Sequence, residues 1–230
     1  MFRTTGLEID SLNKDIILTE LSTRQAMELG LLSKAVPVFQ FIYNVMIKIT
    51  NLEQKDLEKI TVQDAVSLMI YYKATFENNI AIGEVEDGDL LATDFIIERK
   101  SQVDKKEIVK IKGKNFSPFL VLSKAIEAEK MALAVNGNEL AYLSLYTFGA
   151  CYVGRVRDGV NHILNAPDLD IQQGLNQLSE MMGRVGAIRI GFPKFKGRRR
   201  FSIIAQKGEG EEVRAYALPF QDTHFYDYGF

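Results

Sequence analysis

The 230-residue chain has few of the residues that form disulfides and bind metals. It contains one cysteine, Cys151, and two histidines, His162 and His224. A single cysteine excludes an intrachain disulfide and fits a reducing compartment. A structural zinc site needs several Cys or His ligands at set spacings, and the chain has neither a CxxC nor an HExxH pattern. We therefore expect no metal site.

Long hydrophobic runs and phosphate-binding loops are also missing from the sequence. The longest uncharged run covers residues 140–154, which is shorter than the roughly 18 apolar residues of a membrane span. The first residues carry acids and lack the apolar segment of a signal peptide. Neither GxxxxGK[ST] nor a GxGxxG after a strand occurs. These features predict a protein made in a cytoplasm, without membrane association or a cofactor.

One nucleophilic pair is conceivable, Cys151 with His162 as its base. Cys151 lies in the apolar stretch LYTFGACYVG, which has no charge that would activate a thiol. A free cysteine in such surroundings is typical of a small core side chain. We therefore predict that Cys151 is a core residue. The missing motifs favour a protein that is not an enzyme, and the least favoured reading is a small enzyme whose site is formed by scattered carboxylates.

Charge is unevenly distributed along the chain. Between Met181 and Gly208 there are eight Lys and Arg residues and no acid, a local charge of +8. Because the whole chain carries −2, the remainder carries −10. Such segregation bears on partners and on electrostatic steering rather than on fold.

The centre of the basic window, GFPKFKGRRRF (191–201), interleaves cations with aromatics. Guanidinium groups suit phosphate oxygens and aromatic rings stack on bases, so nucleic acid is one partner. However, nucleic-acid domains usually have a pI above about 9, whereas this chain has a pI of about 5.8. Docking on the acidic body of another protein subunit is therefore favoured, and a solvated hairpin rim is the third reading. The residues predicted to make these contacts are Lys194, Phe195, Lys196, Arg198, Arg199, Arg200 and Phe201.

The C-terminal stretch PFQDTHFYDYGF is unusually aromatic. Exposed aromatic clusters are aggregation hazards, and aromatic side chains are favoured interface anchors. The stretch either folds onto its own core or inserts into a neighbouring protein. The predicted anchors are Phe220, Phe225, Tyr226, Tyr228 and Phe230.

Apolar periodicity predicts a mostly helical chain with strands towards its end. The first helix is expected to have its cap at Ser22 or Thr23 and to end or bend at Gly30. Further helices are predicted over 36–49, from Thr61 onwards, and over 120–135, 140–153 and 169–185, while residues 154–165 are ambiguous. Strands are predicted over 95–99, 107–111, 188–192, 201–205 and 213–218.

These elements predict an α+β fold with a helical N-terminal body and a small antiparallel β element near the C-terminus. We place a helical N-terminal region at residues 1–80 and a mixed, mainly helical middle region at 81–187. A β-hairpin with the aromatic tail follows at 188–230. The alternative is that all three regions form one domain.

Two stretches carry a resemblance to a known family: DIILTELSTRQAMELGLLSK (15–34) and ITVQDAVSLMIYYKATFENN (60–79). They resemble the baseplate hub and tail-assembly proteins of T4-like contractile phages, and with the helical stretch between them the resemblance covers about a third of the chain. Lys73 stands where that family tends to have arginine. The residues that match the family pattern are Leu18, Leu21, Thr23 and Arg24 in the first stretch, and Ile60, Asp64 and Leu68 in the second.

The resemblance implies a structural or assembly role in a virion tail and carries over no catalytic residue. Together with the charge pattern, it predicts a non-enzymatic component that contacts other tail proteins or further copies of itself. Its location would then be the virion, after synthesis in the host cytoplasm. The alternative function is a nucleic-acid-binding module that uses the basic segment 184–207.

Overall fold

The computed structural model describes residues 2–4, 9, 11–12, 15–76, 103–136, 143–166 and 168–185, together with short backbone strands between 189 and 215. The protein is mostly helical and carries small antiparallel sheets, which confirms the α+β class. In chain order, the helices of this part are α1 (Thr23–Ala35), α2 (Val38–Ile49), α3 (Gln54–Leu57), α4 (Val62–Phe76), α5 (Leu122–Asn136), α6 (Leu143–Ala150), α7 (Val156–Leu164) and α8 (Asp168–Met182).

The first helix begins at the predicted cap but extends beyond the predicted end. The Ser22 side chain accepts from the backbone N–H of Gln25, and the Gln25 side chain accepts from the N–H of Ser22, which makes a capping box. The prediction that Gly30 ends or bends the helix is wrong, because α1 continues to Ala35. A glycine inside a helix lowers helix stability by only about 1 kcal/mol relative to alanine, so the other residues of α1 keep the helix continuous.

Helix α4 begins next to Thr61, where a helix was predicted to start, and Thr61 caps it together with a residue from a distant segment. The backbone N–H of Asp64 donates to Oγ1 of Thr61 at 3.1 Å. The carboxylate of Asp64 accepts from the backbone N–H and the hydroxyl of Ser11, and Ser11 Oγ accepts from the N–H of Thr61. The N-terminal segment is thereby fastened to the beginning of α4.

The antiparallel sheet of the middle region contains one predicted strand and one that was not predicted. Strands β3 (Val109–Ile111) and β4 (Lys114–Phe116) pair through a two-residue turn. Lys112 and Gly113 both have positive φ, 46° and 75°, as the hairpin turn that matches strand twist requires. The strand predicted over 107–111 is confirmed for Val109–Ile111. Its expected pairing with 95–99 stays a prediction, because 95–99 lies outside the described residues.

The small antiparallel element is not confined to the C-terminal end as predicted, because this hairpin occupies residues 109–116 in the middle of the chain. Another two-stranded pair joins β1 (Phe2–Thr4) and β2 (Ile17–Thr19) near the N-terminus. Backbone strands also occur later: β5 (Arg189–Gly191), β6 (Lys194–Phe195), β7 (Arg198–Arg199), β8 (Ser202–Lys207) and β9 (Glu211–Ala215). They pair antiparallel in the order β5-β8-β9, and β6 pairs with β7.

One hydrophobic core holds the described helices together. Its buried side chains extend from Ile9 to Leu178, and the inner faces of α2 and α4 contribute many of them. The domain boundaries predicted near residues 80 and 187 fall within 77–102 and 186–188, which lie outside the described residues.

A close helix crossing completes the core. Helices α6 and α7 approach so tightly that a Cβ added to Gly159 would lie 2.2 Å from the carbonyl oxygen of Gly149. A Cβ at Gly149 would lie 2.7 Å from the Cα of Val160. Only glycine fits at these two positions, because the obstructing atoms belong to the backbone.

Candidate interaction surface

For the predicted basic and aromatic contact residues, the structure describes the backbone of some and leaves the others outside the described residues. Lys194 pairs with Arg199 and Phe195 with Arg198, so their backbones form two short antiparallel strands. Their side chains, and the whole of Lys196, Arg200 and Phe201, lie outside the described part of the chain. The predicted tail anchors Phe220, Phe225, Tyr226, Tyr228 and Phe230 lie outside it as well.

The structure confirms that Cys151 is a core residue. The side chain is 2% exposed, and its Sγ lies 3.8 Å from Sδ of Met182. Burial raises the pKa of the Cys151 thiol to about 12, and the nearby Lys124 ammonium offsets this only in part. His162 is engaged elsewhere, since its Nε2 lies 2.9 Å from the carbonyl oxygen of Ile111. The two side chains therefore do not form a nucleophile–base pair.

The outer face of the α1–α2 hairpin exposes apolar side chains. Met27 is 54% exposed and Leu31 is 60% exposed. They lie one helical turn apart on α1, on the side away from the fully buried Leu29. Met27 and Leu29 are two residues apart, and such residues point in nearly opposite directions on a helix.

Helix α2 extends this apolar face. Its Ile47 is 50% exposed. The adjacent Lys48 donates from Nζ to Oε2 of Glu28 on α1 at 2.9 Å, which links the two helices. Ile47 directly precedes Lys48 on α2, just as Met27 directly precedes Glu28 on α1. We call Met27, Leu31 and Ile47 the apolar face.

Charges of both signs border the apolar face. Arg24, 90% exposed at its side chain, donates to Glu28 at 3.3 Å along α1. The hydrogen bond and charge of Lys48 hold the pKa of Glu28 below its ordinary value, and Arg24 adds to this effect. An apolar centre with a charged rim is the usual anatomy of a protein–protein interface.

A second feature is an open cleft of about 410 Å³ at the start of α7. Lys124, Arg155 and Arg157 line it together with Glu127 and Asp158. Lys124 donates from Nζ to the carbonyl oxygens of Tyr152 and Gly154 at 2.7 and 3.0 Å, and Arg155 donates to Asp158 at 3.0 Å. Burial lowers the pKa of Lys124. Lys124 and Arg155 therefore serve mainly to close the α6–α7 loop and the first turn of α7.

The sequence gave no sign of the role of Glu129, a carboxylate buried on α5. The side chain is 2% exposed, and its Oε2 accepts from the backbone N–H of Phe39 at 3.0 Å. It also accepts from the N–H of Gln40 at 3.4 Å, so it caps α2 from a position 90 residues later in the chain. Burial raises its pKa to about 7, although the α2 N–H groups act in the opposite sense. Only the tertiary structure brings these groups together.

The described residues offer neither a metal-binding cluster nor a membrane-spanning helix. No group of three or more His, Cys, Asp or Glu side chains in this part of the chain is placed to hold a metal ion. None of the helices described here combines the length and apolarity that crossing a bilayer requires.

Comparisons of the chain with protein-family models, with curated proteins and with solved structures found no match.

Proposed function

We propose that the protein is a non-enzymatic structural or assembly component that acts through protein–protein contacts. Its partners are further copies of the chain or other proteins of a symmetric particle. The resemblance of residues 15–34 and 60–79 to phage baseplate and tail-assembly proteins supports a contractile tail as that particle. A nucleic-acid-binding role for residues 184–207 is the alternative, and the acid-free run of cations favours it.

The observation that carries the proposal is the apolar face of the α1–α2 hairpin. Met27, Leu31 and Ile47 are each at least half exposed, although they lie within a well-packed helical pair. Burying apolar area contributes about 25 cal/mol per Å², so a partner that covers these side chains gains free energy from each of them. The charged rim of Arg24, Glu28 and Lys48 sets the orientation of that partner.

Charge segregation supports self-association in particular. The window from Met181 to Gly208 carries +8 and the remainder of the chain −10. In an assembly of identical subunits, the basic window of one copy then meets the acidic body of another. Complementarity of this kind contributes mainly to specificity and to the rate of association.

The test is the oligomeric state of the purified protein, measured by light scattering over about a hundred-fold range of concentration. We expect the wild-type mass to rise with concentration. The double variant Met27→Glu with Leu31→Glu should weaken association by at least about tenfold, because it places two charges in the centre of the contact. Circular dichroism would establish that the fold is retained.

Val135→Glu is the matched control. Val135 is 71% exposed and lies on α5, so the same apolar-to-acidic change is made away from the apolar face. The control should associate like the wild type. A wild-type protein that stays monomeric throughout, or a control as impaired as the double variant, would refute the role of this face.

A further inference from the structure

The start of α2 lacks a cap of its own. Its N-cap residue is Pro37, which has no polar side chain to satisfy the first N–H groups of the helix. Glu129 of α5 takes that place, accepting from Phe39 and Gln40. The positive end of the α2 dipole also favours a carboxylate at this position. Glu129 is thus the polar link between α5 and the start of α2.

Burial acts against the helix terminus, because an ionised carboxyl that is kept away from water loses its free energy of hydration. Glu129 is 2% exposed, and among the described side chains the charge of the neighbouring Lys130 favours its ionised form. Helices α2, α4, α6 and α7 pack against α5. Their ionisable side chains, apart from tyrosines, are Lys48, Asp64, Lys73, Arg157, Asp158 and His162. None of these six makes a hydrogen bond or ion pair with Glu129 in the described part of the chain.

We propose that Glu129 is a pH-responsive joint, which holds α5 against the start of α2 when its carboxyl is protonated and loosens that contact on ionisation. The neutral acid still accepts from the α2 N–H groups and avoids the desolvation of a buried charge. The inference is independent of the proposed assembly role, because it concerns the packing of α2 on α5 within one chain.

The direction of the pH effect follows from proton linkage. Burial raises the pKa of Glu129 from its ordinary value of 4.5 to about 7. Between these values the closed joint binds the proton more tightly than the opened one, so ionisation favours opening. Closure is therefore strongest below pH 4.5, weakens as the pH rises towards about 7, and changes little above that.

The experiment has two measurements on the full chain. Carbon-13 NMR of labelled glutamate follows the Glu129 carboxyl directly, with its signal assigned by its loss in Glu129→Gln. Hydrogen exchange gives the protection factors of the Phe39 and Gln40 amides from about pH 5 to 8. We expect a carboxyl midpoint near neutrality and a fall in protection of roughly one to two orders of magnitude.

Two variants separate the joint from general effects of pH. Glu129→Gln keeps the shape and cannot ionise, so its protection factors should be independent of pH. Glu127→Gln changes an exposed residue of the same helix and should behave like the wild type. A Glu129 midpoint near 4.5 would overturn the proposal. Wild-type protection that does not change with pH would also overturn it, and this result does not depend on the folding of Glu129→Gln.

Discussion

At the scale of single residues, burial decides the chemistry of the side chains that attract attention in the sequence. Cys151 is 2% exposed, and its thiol has a pKa of about 12. A thiolate is the reactive form of cysteine, so such a thiol is inert at neutral pH while the fold is intact. Glu129 shows the same physics in a carboxyl, since burial raises its pKa as well.

The first prediction concerns Cys151. We expect a thiol reagent at pH 8 to react with the native protein at least about 100-fold more slowly than with the protein unfolded in urea. Both the buried position and the raised pKa suppress the reaction. Because Cys151 is the single cysteine of the chain, the absorbance of the released chromophore measures this site alone. Equal rates in the two states would contradict its burial.

At the scale of elements, the caps and the helix crossing define where the helices begin and how they meet. Ser22 and Thr61 begin α1 and α4 as their sequence patterns predict. The crossing of α6 and α7 depends on Gly149 and Gly159, which the sequence did not distinguish from a glycine such as Gly30. The difference is the neighbouring helix, which is invisible in a local pattern.

The second prediction compares one substitution at two helical glycines. Gly159→Ala should lower the free energy of unfolding by roughly 2–3 kcal/mol, because its Cβ meets the carbonyl oxygen of Gly149 at 2.2 Å. Gly30→Ala should raise it by up to about 1 kcal/mol, since nothing lies within 4 Å and alanine favours the helix. Urea denaturation monitored by circular dichroism measures both. A change of the same sign in the two variants would contradict the close crossing.

At the scale of the whole molecule, the separation of charge is the property that most concerns partners. The window 181–208 carries +8 within a chain of net charge −2. A basic region can serve protein docking or nucleic-acid binding. The two functions differ in whether the region binds a nucleic acid. A nucleic-acid site releases counterions on binding and therefore loses affinity steeply as salt increases.

The third prediction separates these two functions. If docking on protein is the function, fluorescence anisotropy should detect no micromolar binding of short DNA or RNA at low salt. Micromolar binding that Arg198→Glu with Arg200→Glu abolishes would instead favour the nucleic-acid alternative. Arg24→Glu with Arg157→Glu is the matched control, because it reverses two exposed charges outside the window.

Much of the helical framework was predictable because its signals are local. Caps and apolar stripes predicted α1, α2, α4, α5 and α8 with ends close to the observed ones, apart from the early end assigned to α1 at Gly30. The hairpin at 109–116 was missed because its turn is Lys112–Gly113, and lysine is an unusual residue at positive φ. The predicted contact residues of the basic window and tail stay predictions, since their side chains lie outside the described residues.

By itself, the sequence determined the helical class, the helix caps, the single buried cysteine and the charge asymmetry, because composition and short-range periodicity encode them. The tertiary structure decided which apolar residues stay exposed on α1 and α2, which glycines permit a close crossing, and that Glu129 caps a helix 90 residues away. Each of these depends on atoms that are distant in sequence. Their proximity exists only once the core from Ile9 to Leu178 has packed.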